Sequence, residues 1–221
     1  MTDLGLPLPA TPDAAAVAAL HEALESPAAE AVLGWVSMRA AFAFPLLALL
    51  GGVLCFKYRR DGLITFAALL CLLGGADLLG NGLKHLFALP RPCFDLQGIL
   101  DWIPAKCGGA RRGMPSNHAL NFFTVSAFVL FALRRKWPGI ALLTLSCLVG
   151  VSRIYLGRHY PSQVFAGAAV GLVWGALGAF VFSRFTVGKR MCAAPPSACG
   201  SPSSAPLPSE TGAAATPKDP S

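Results

Sequence analysis

Five apolar runs, each close to the length that crosses a lipid bilayer, constrain this chain more than any other feature. They occupy residues 40–56, 62–83, 115–133, 137–152 and 160–183. A membrane span needs ~17–25 residues, and a backbone in lipid must satisfy its hydrogen bonds within one segment, as a helix does. Only 13% of the residues are charged, against about 25% in soluble domains. The sequence therefore predicts an all-α integral membrane bundle of about five transmembrane helices.

The segments on either side of these runs have different compositions. Residues 13–36 are rich in alanine, carry three glutamates and are interrupted near Ser26 and Pro27, which favours one or two amphipathic helices lying on the membrane surface. The C-terminal residues are rich in Pro, Ser, Ala and Gly, a composition typical of disorder. We therefore divide the chain into an N-terminal interfacial segment (1–37), a membrane domain (38–185) and a disordered tail (186–221).

Basic residues collect on one side of the predicted bundle. If the five runs alternate in direction, nine cations share one face: Lys57, Arg59, Arg60, Arg134, Arg135, Lys136, Arg184, Lys189 and Arg190. Short connections rich in Lys and Arg normally stay in the cytoplasm. The connections at 84–113 and 156–161 should then lie outside it. Topology and anionic lipid explain the net charge of +7, and no nucleic-acid-binding motif accompanies it.

The opposite face of the bundle gathers residues of a different kind. Three cations, two histidines and a hydroxyl fall at the ends of the runs: Lys84, Arg91, Ser116, His118, Arg153 and His159. Arginine and lysine suit phosphate oxygens, and a helix N-terminus offers free N–H groups to an anion. One neutral histidine can attack phosphorus while another protonates the leaving oxygen. This chemistry needs no metal or cofactor, and the sequence contains no CxxC or HxxxH pair that predicts a metal site.

Three short patterns carry a family resemblance over residues 84–163. They are Lys84-x6-Arg91-Pro92, Pro115-Ser116-Asn117-His118 and Ser152-Arg153-x5-His159. In this order and spacing they resemble the three-part signature of the type 2 phosphatidic acid phosphatase superfamily. The resemblance implies that His159 is a nucleophile that becomes phosphohistidine and that His118 is the general acid. It also implies a phosphate-binding shell made of Lys84, Arg91, Ser116, Asn117 and Arg153.

Two positions depart from that signature. Asn117 stands where the family usually has Gly, and Gln163 stands where it usually has Asp. On a helix Gln163 shares a face with His159, so its carbonyl can accept from Nδ1–H and fix the tautomer, although it cannot stabilise a cation as Asp would. Glutamine here also resembles the eukaryotic dolichyl diphosphatase branch. We expect an active enzyme; a non-catalytic lipid-binding relative is the alternative.

Asp77 is the only charged residue inside the second run, where it shares one side of the helix with Asn81 and Lys84. Bundle packing and hydrogen bonding are the simplest roles for a carboxyl at this depth. A compensating role, in which Asp77 supplies the charge that Gln163 lacks, is the alternative.

Two of the seven cysteines, Cys93 and Cys107, lie in the same outer connection. A disulfide between them would close a loop and hold Arg91, and an oxidising compartment outside the cytoplasm would permit it. The alternative is two free thiols.

Together these features predict a metal-independent phosphoric-monoester or diphosphate hydrolase in a bacterial inner membrane, with its active site on the extracytoplasmic face. The partner is a lipid phosphate or diphosphate in the bilayer; no protein partner is indicated. Undecaprenyl diphosphate is the first choice of substrate, followed by lipid A 1-phosphate and phosphatidylglycerophosphate. A lipid phosphotransferase, in which a second lipid hydroxyl replaces water, is the alternative reaction class.

Overall fold

The computed structural model describes residues 11–103, 107, 110–185, 187, 189 and 190. Within these residues the regular structure is helical, apart from one β-bridge between Pro90 and Arg112. The helices are α1 Pro12–Leu24, α2 Pro27–Val36, α3 Phe44–Phe87, α4 Pro92–Asp95, α5 Asn117–Ala132, α6 Lys136–Tyr155 and α7 Pro161–Arg184, with a π-helical turn, Arg39–Ala43, ahead of α3. This confirms the all-α class. The predicted disordered tail lies almost wholly outside the described residues.

Helix α3 reverses direction near its middle. Arg59 has non-helical backbone angles (φ 52°, ψ −123°), and a methyl group placed on Gly51 would lie 2.6 Å from Cζ of Phe66. In a straight helix these two residues would be about 22 Å apart. The chain therefore folds back at Arg59, in the connection that the sequence predicts between its first two apolar runs.

Three helical segments of the described chain are long and apolar enough to cross a membrane: Arg39–Phe87, Lys136–Tyr155 and Pro161–Arg184. Helix α5 has 16 residues and is shorter. Large apolar side chains on the outside of the bundle are strongly exposed, including Phe56 (89%), Leu78 (77%) and Phe165 (72%), as expected where lipid is the solvent. The structure is thus a membrane helical bundle, whereas the count of five crossings stays a prediction.

Helix α5 is the centre of the bundle, and ten of its residues are buried. Its closest neighbour is α7, which approaches it through glycines four residues apart. Methyl groups on Gly167, Gly171 and Gly175 would lie 2.5, 2.3 and 2.4 Å from backbone oxygens of α5. Small residues at this spacing let two helices in a membrane approach closely. This contact fixes the start of α5 against the start of α7.

The predicted N-terminal helix is two helices, as the sequence suggests. The break falls at Ser26, whose side chain accepts from Ala29 N–H as an N-cap. Helix α1 packs onto the bundle: Asp13 accepts from the backbone N–H of Ser162 at 3.1 Å, and His21 stacks on Trp102 with ring centroids 3.7 Å apart. This segment therefore covers the end of the bundle where α7 begins.

Several of the cations that the sequence assigns to one face lie together at one end of the bundle. Arg190 donates two hydrogen bonds to Asp61 at 2.6 and 2.8 Å, and Arg135 donates to Tyr58 at 3.2 Å. These contacts bring the α3 reversal, the start of α6 and the segment after α7 to one end. The remaining cations considered below lie at the other end.

The glycine contact between α5 and α7 gives a stability prediction. Gly171→Ala places a methyl group 2.3 Å from the Leu120 carbonyl oxygen, so the helices must separate at a cost of ~1–3 kcal/mol. We expect a lower Tm in detergent. Gly52→Ala is the matched control, because no atom lies within 4 Å of its added methyl group and alanine favours a helix. Equal Tm values for the two variants would contradict this packing.

Candidate active site

The residues singled out in the sequence lie at the ends of four helices, and those ends meet. Lys84 is in the last turn of α3, Ser116 caps α5, Arg153 is in the last turn of α6, and His159 lies in the turn before α7. Hydrogen bonds link these ends directly: Lys84 Nζ donates to Asn117 Oδ1 at 2.5 Å, and Ser116 N–H donates to the Gln163 carbonyl at 3.0 Å.

His159 is buried, with 2% of its surface exposed. Its Nδ1 lies 3.0 Å from Gln163 Oε1; because that oxygen can only accept, the proton is assigned to Nδ1 and the lone pair to Nε2. Burial, followed by the positive charges of Arg153 and Arg91, holds the pKa of His159 well below its usual value. The imidazole is therefore neutral near pH 7, as a nucleophile must be.

Gln163 does more than orient His159. Its Nε2 donates to the carbonyl oxygen of Pro90 at 2.6 Å, next to Arg91, and its backbone carbonyl accepts from Ser116 N–H. Gly113 lies against the same amide, since a methyl group there would be 2.4 Å from Gln163 Oε1. An aspartate could accept from His159 but could not donate to Pro90. The amide thus joins His159 to the loop that carries Arg91.

Asn117, the second departure from the signature, connects Lys84 to the interior of the membrane domain. Its Oδ1 accepts from Lys84, and its Nδ2 donates to Asn81 at 3.0 Å and to Asp77 at 3.2 Å. A methyl group on Gly80 would lie 2.6 Å from Asn117 Oδ1, so Gly80 makes room for this side chain. Asp77 also accepts from Asn121 at 3.0 Å. These contacts fit the hydrogen-bonding role for Asp77 better than compensation for Gln163.

Arg153 is held by a residue that the sequence did not single out. Its Nη1 donates to the backbone carbonyl of Ser37 at 3.5 Å and to the Ser37 hydroxyl. Two residues later, Arg39 begins the π-helical turn, and its positive charge interacts with those of Lys84, Arg91 and Arg153. The sequence offered one signal for Arg39: it is a cation at the outer boundary of the first apolar run.

Several polar atoms of the site are buried without a hydrogen-bond partner in the part of the chain that the structure describes. They are Ser116 Oγ, His118 Nε2 and Arg153 Nε. Buried polar atoms are normally paired, so this end of the bundle has unused hydrogen-bonding capacity. Burial, followed by the positive charges of Arg158 and Arg39, lowers the pKa of Arg91. An anion with several oxygens would satisfy both the polar atoms and the charges.

A groove of about 300 Å³ leads from this cluster into the bundle. Its polar end is lined by Arg39, Asn117 and His118, and Asp77 and Asn121 lie along its wall. Most other lining side chains are apolar and come from both arms of α3 and from α5 and α6: Phe44, Leu46, Leu47, Leu50, Leu70, Leu73, Phe122, Val125 and Leu142. The arrangement suits an amphiphile whose anionic head meets the cations and whose hydrocarbon enters the groove.

Cys93 and Cys107 are placed as a disulfide, with Cα atoms 5.8 Å apart. Cys93 is fully buried among apolar residues that include Leu96, Leu100 and Ile103, and its N–H donates to the Gly157 carbonyl at 3.1 Å. The bond therefore lies two residues from Arg91. Among the described residues, no three His, Cys, Asp or Glu side chains come together as metal ligands would.

Comparison with known proteins shows what the chain resembles. The profile of the PAP2 superfamily matches residues 64–186. The chain is 30% identical over 156 residues to lipid A 4'-phosphatase of Bacteroides thetaiotaomicron, covering 69% of this chain and 66% of that protein. It is 31% identical over 144 residues to dolichyldiphosphatase 1 of Mus musculus, covering 58% of this chain and 56% of that protein. The chain thus spans between about half and two thirds of the length of these relatives.

A solved structure shares the fold. A transmembrane PAP2-type phosphatidylglycerolphosphate phosphatase from Bacillus subtilis superimposes with a TM-score of 0.58 at 26% identity, covering 77% of this chain and 86% of that one.

The neutral Gln163 gives a pH prediction. In Gln163→Glu a carboxylate faces His159 Nδ1 and favours the imidazolium, which raises the pKa of His159 by about one unit or more. If His159 is the nucleophile that the sequence predicts, only its neutral form can attack, and the acid limb of kcat/KM should move to higher pH.

The measurement is phosphate release from a lipid phosphate between pH 4 and 8, in detergent. Gln163→Met, which removes both hydrogen bonds without adding charge, should lower kcat/KM and leave the acid limb where it is or at lower pH. An acid limb that Gln163→Glu leaves unmoved would show that His159 does not limit activity at low pH.

Proposed function

Because the chain belongs to the PAP2 superfamily, we propose that this integral membrane protein hydrolyses a lipid phosphate or diphosphate through a phosphohistidine intermediate. The observation that carries this proposal is the state of His159. Its Nδ1–H is committed to Gln163, its imidazole is neutral, and the charges of Arg153, Arg91 and Lys84 act on it. A neutral imidazole surrounded by cations suits attack on a phosphate, because the cations offset the negative charge that the transition state spreads over oxygen.

In the first step the Nε2 lone pair of His159 attacks phosphorus. The bond from phosphorus to the leaving oxygen breaks, and His118, which takes up a proton once the bound anion offsets the cations around it, gives that oxygen a proton from Nε2. Lys84, Arg91 and Arg153, with the Ser116 hydroxyl and the N–H groups at the start of α5, bind the oxygens of the transferred group. In the second step the now neutral His118 takes a proton from water, and the hydroxyl attacks phosphorus, releasing phosphate and free His159.

We propose that the site lies on the extracytoplasmic side of a bacterial inner membrane. The end of the bundle opposite the site holds the α3 reversal with Arg59 and Arg60, together with Arg135 and Arg190, and short connections rich in such residues stay in the cytoplasm. The Cys93–Cys107 disulfide lies at the site end, and an oxidising compartment would permit it.

Undecaprenyl diphosphate is the substrate that we propose first, since an outward-facing site suits recycling of a lipid carrier. The likeness to a dolichyldiphosphatase supports a polyprenyl diphosphate. The likeness to a lipid A 4'-phosphatase favours lipid A as the second candidate. Both are anionic amphiphiles that fit an apolar groove with a basic end.

The nucleophile is tested by His159→Ala. Free phosphate released from lipid phosphates and diphosphates, with no acceptor alcohol added, should fall by on the order of a thousandfold or more. The control is His85→Ala: this histidine is exposed and contacts Arg112 rather than the site residues, so activity should persist. Full activity of His159→Ala would exclude the mechanism. Phosphate release by the unmodified protein that requires an added alcohol would instead indicate a phosphotransferase.

The general acid is tested by the leaving group. His118→Ala should slow release of a lipid alcohol, a poor leaving group, by about a hundredfold or more. Hydrolysis of p-nitrophenyl phosphate, whose p-nitrophenol leaving group departs readily without a proton, should slow much less, by about tenfold at most. Equal losses on the two substrates would mean that His118 binds phosphate rather than protonating the leaving oxygen.

A further inference from the structure

Arg39 lies at the polar mouth of the groove and ahead of the region that matches the family profile. It is the first residue of the π-helical turn and is exposed, and it lines the groove together with His118 and Asn117. Within the described chain its guanidinium has neither a salt bridge nor a hydrogen bond. Lys84, Arg91 and Arg153 are the phosphate-binding cations of the signature. Arg39 is a fourth cation, to which no anion has been assigned.

We infer that Arg39 binds the leaving-group phosphate of a lipid diphosphate and so favours diphosphates over monophosphates; this rests on the proposed function. A phosphoryl group held by Lys84, Arg91 and Arg153 must have its leaving oxygen near His118. The hydrocarbon of the same molecule must follow the groove, whose mouth is formed by His118 and Arg39. The atom that is bonded to the leaving oxygen on the side of the hydrocarbon, which is the first group after the leaving oxygen, therefore lies beside Arg39.

The chemistry of that first group separates the two classes of lipid. In a diphosphate it is a second phosphorus with charged oxygens, and when the bridging bond breaks the departing phosphate gains negative charge. A guanidinium next to it stabilises both the bound state and the leaving group. In a monophosphate the first group is a carbon atom, which offers Arg39 no oxygen to bind. The charge of Arg39 then contributes only at longer range.

The structure also holds this segment in position. Ser37, two residues before Arg39, accepts from Arg153 through both its carbonyl and its hydroxyl, so a cation of the phosphate shell fixes the chain that carries Arg39. The groove contains one carboxylate, Asp77, whose Oδ1 accepts from two amides. Among the described residues no carboxylate forms a salt bridge with Arg39, so an anionic substrate can take that place.

The test compares two substrates with the same hydrocarbon, farnesyl diphosphate and farnesyl monophosphate, on purified full-length protein in detergent. In Arg39→Gln, the ratio of kcat/KM for diphosphate to that for monophosphate should fall by about tenfold. Arg39→Lys keeps the charge and should recover part of the ratio. Arg184→Gln, at the opposite end of the bundle and stacked on Phe180, removes an arginine far from the site and should leave the ratio unchanged.

Each other outcome overturns a stated claim. An unchanged ratio in Arg39→Gln, with or without equal losses on both substrates, would reduce Arg39 to a general electrostatic or structural role. An unmodified protein that hydrolyses the monophosphate but not the diphosphate would overturn the inference and leave the phosphatase function standing. If His159→Ala releases phosphate as fast as the unmodified protein, the proposed function itself fails, whatever Arg39→Gln does.

Discussion

The side-chain amide of Gln163 is the contact on which the geometry of this site depends. It holds His159 Nδ1–H on one side and the Pro90 carbonyl on the other, and its own backbone carbonyl receives the first N–H of the α5 cap. Three segments distant in sequence are thereby joined at one residue. A carboxylate at this position would keep the contact to His159 and the backbone contact to Ser116, but it could not donate to Pro90 and it would raise the pKa of His159. The glutamine favours a neutral imidazole and a fixed loop at the same position, and, being neutral, it leaves the positive charge of the surrounding cations unbalanced.

That arrangement requires the helices beneath it to be closely fixed. The glycines of α7 bring its backbone against the carbonyl oxygens of α5, so the N-termini of both helices lie at one level. Thr124 Oγ1 donates across the same interface to Gly171 at 3.3 Å, and Ser126 pairs with Ser146 between α5 and α6 at 2.8 Å. In lipid these packing and polar contacts replace the hydrophobic effect that would hold soluble helices together. The closely packed pair α5–α7 therefore positions both histidines, since His118 is in the first turn of α5 and His159 lies just before α7.

Local sequence patterns predicted much of this structure. The apolar runs anticipate α5, α6 and α7 to within a few residues, since span length and flanking charge are local properties. The spacing of the three motifs places Lys84, His118 and His159 together because alternating helices return to one level. Contacts across the bundle were not predictable in this way. Nothing in the sequence around Ser37 shows that it receives Arg153, because that contact joins positions 116 residues apart. Likewise, the sequence shows Asn117 only as a replacement for the usual glycine. Its hydrogen bonds to Lys84 and Asp77 are visible only in the structure.

The unequal distribution of charge at the site is a physical constraint on what it can bind. Lys84, Arg91, Arg153 and Arg39 are crowded together, and the carboxylate of the groove, Asp77, is reached from Lys84 only through Asn117. Like charges in a partly buried site repel strongly, because water screens them poorly. The site is therefore less favourable empty than occupied by a multivalent anion, whose binding removes the repulsion as well as making hydrogen bonds. Burial, together with the same repulsion, holds the pKa of His159 low and keeps it neutral before an anion arrives. A single charge distribution thus favours a multivalent anion, such as the head of the proposed lipid substrate, and keeps neutral the imidazole of the proposed nucleophile.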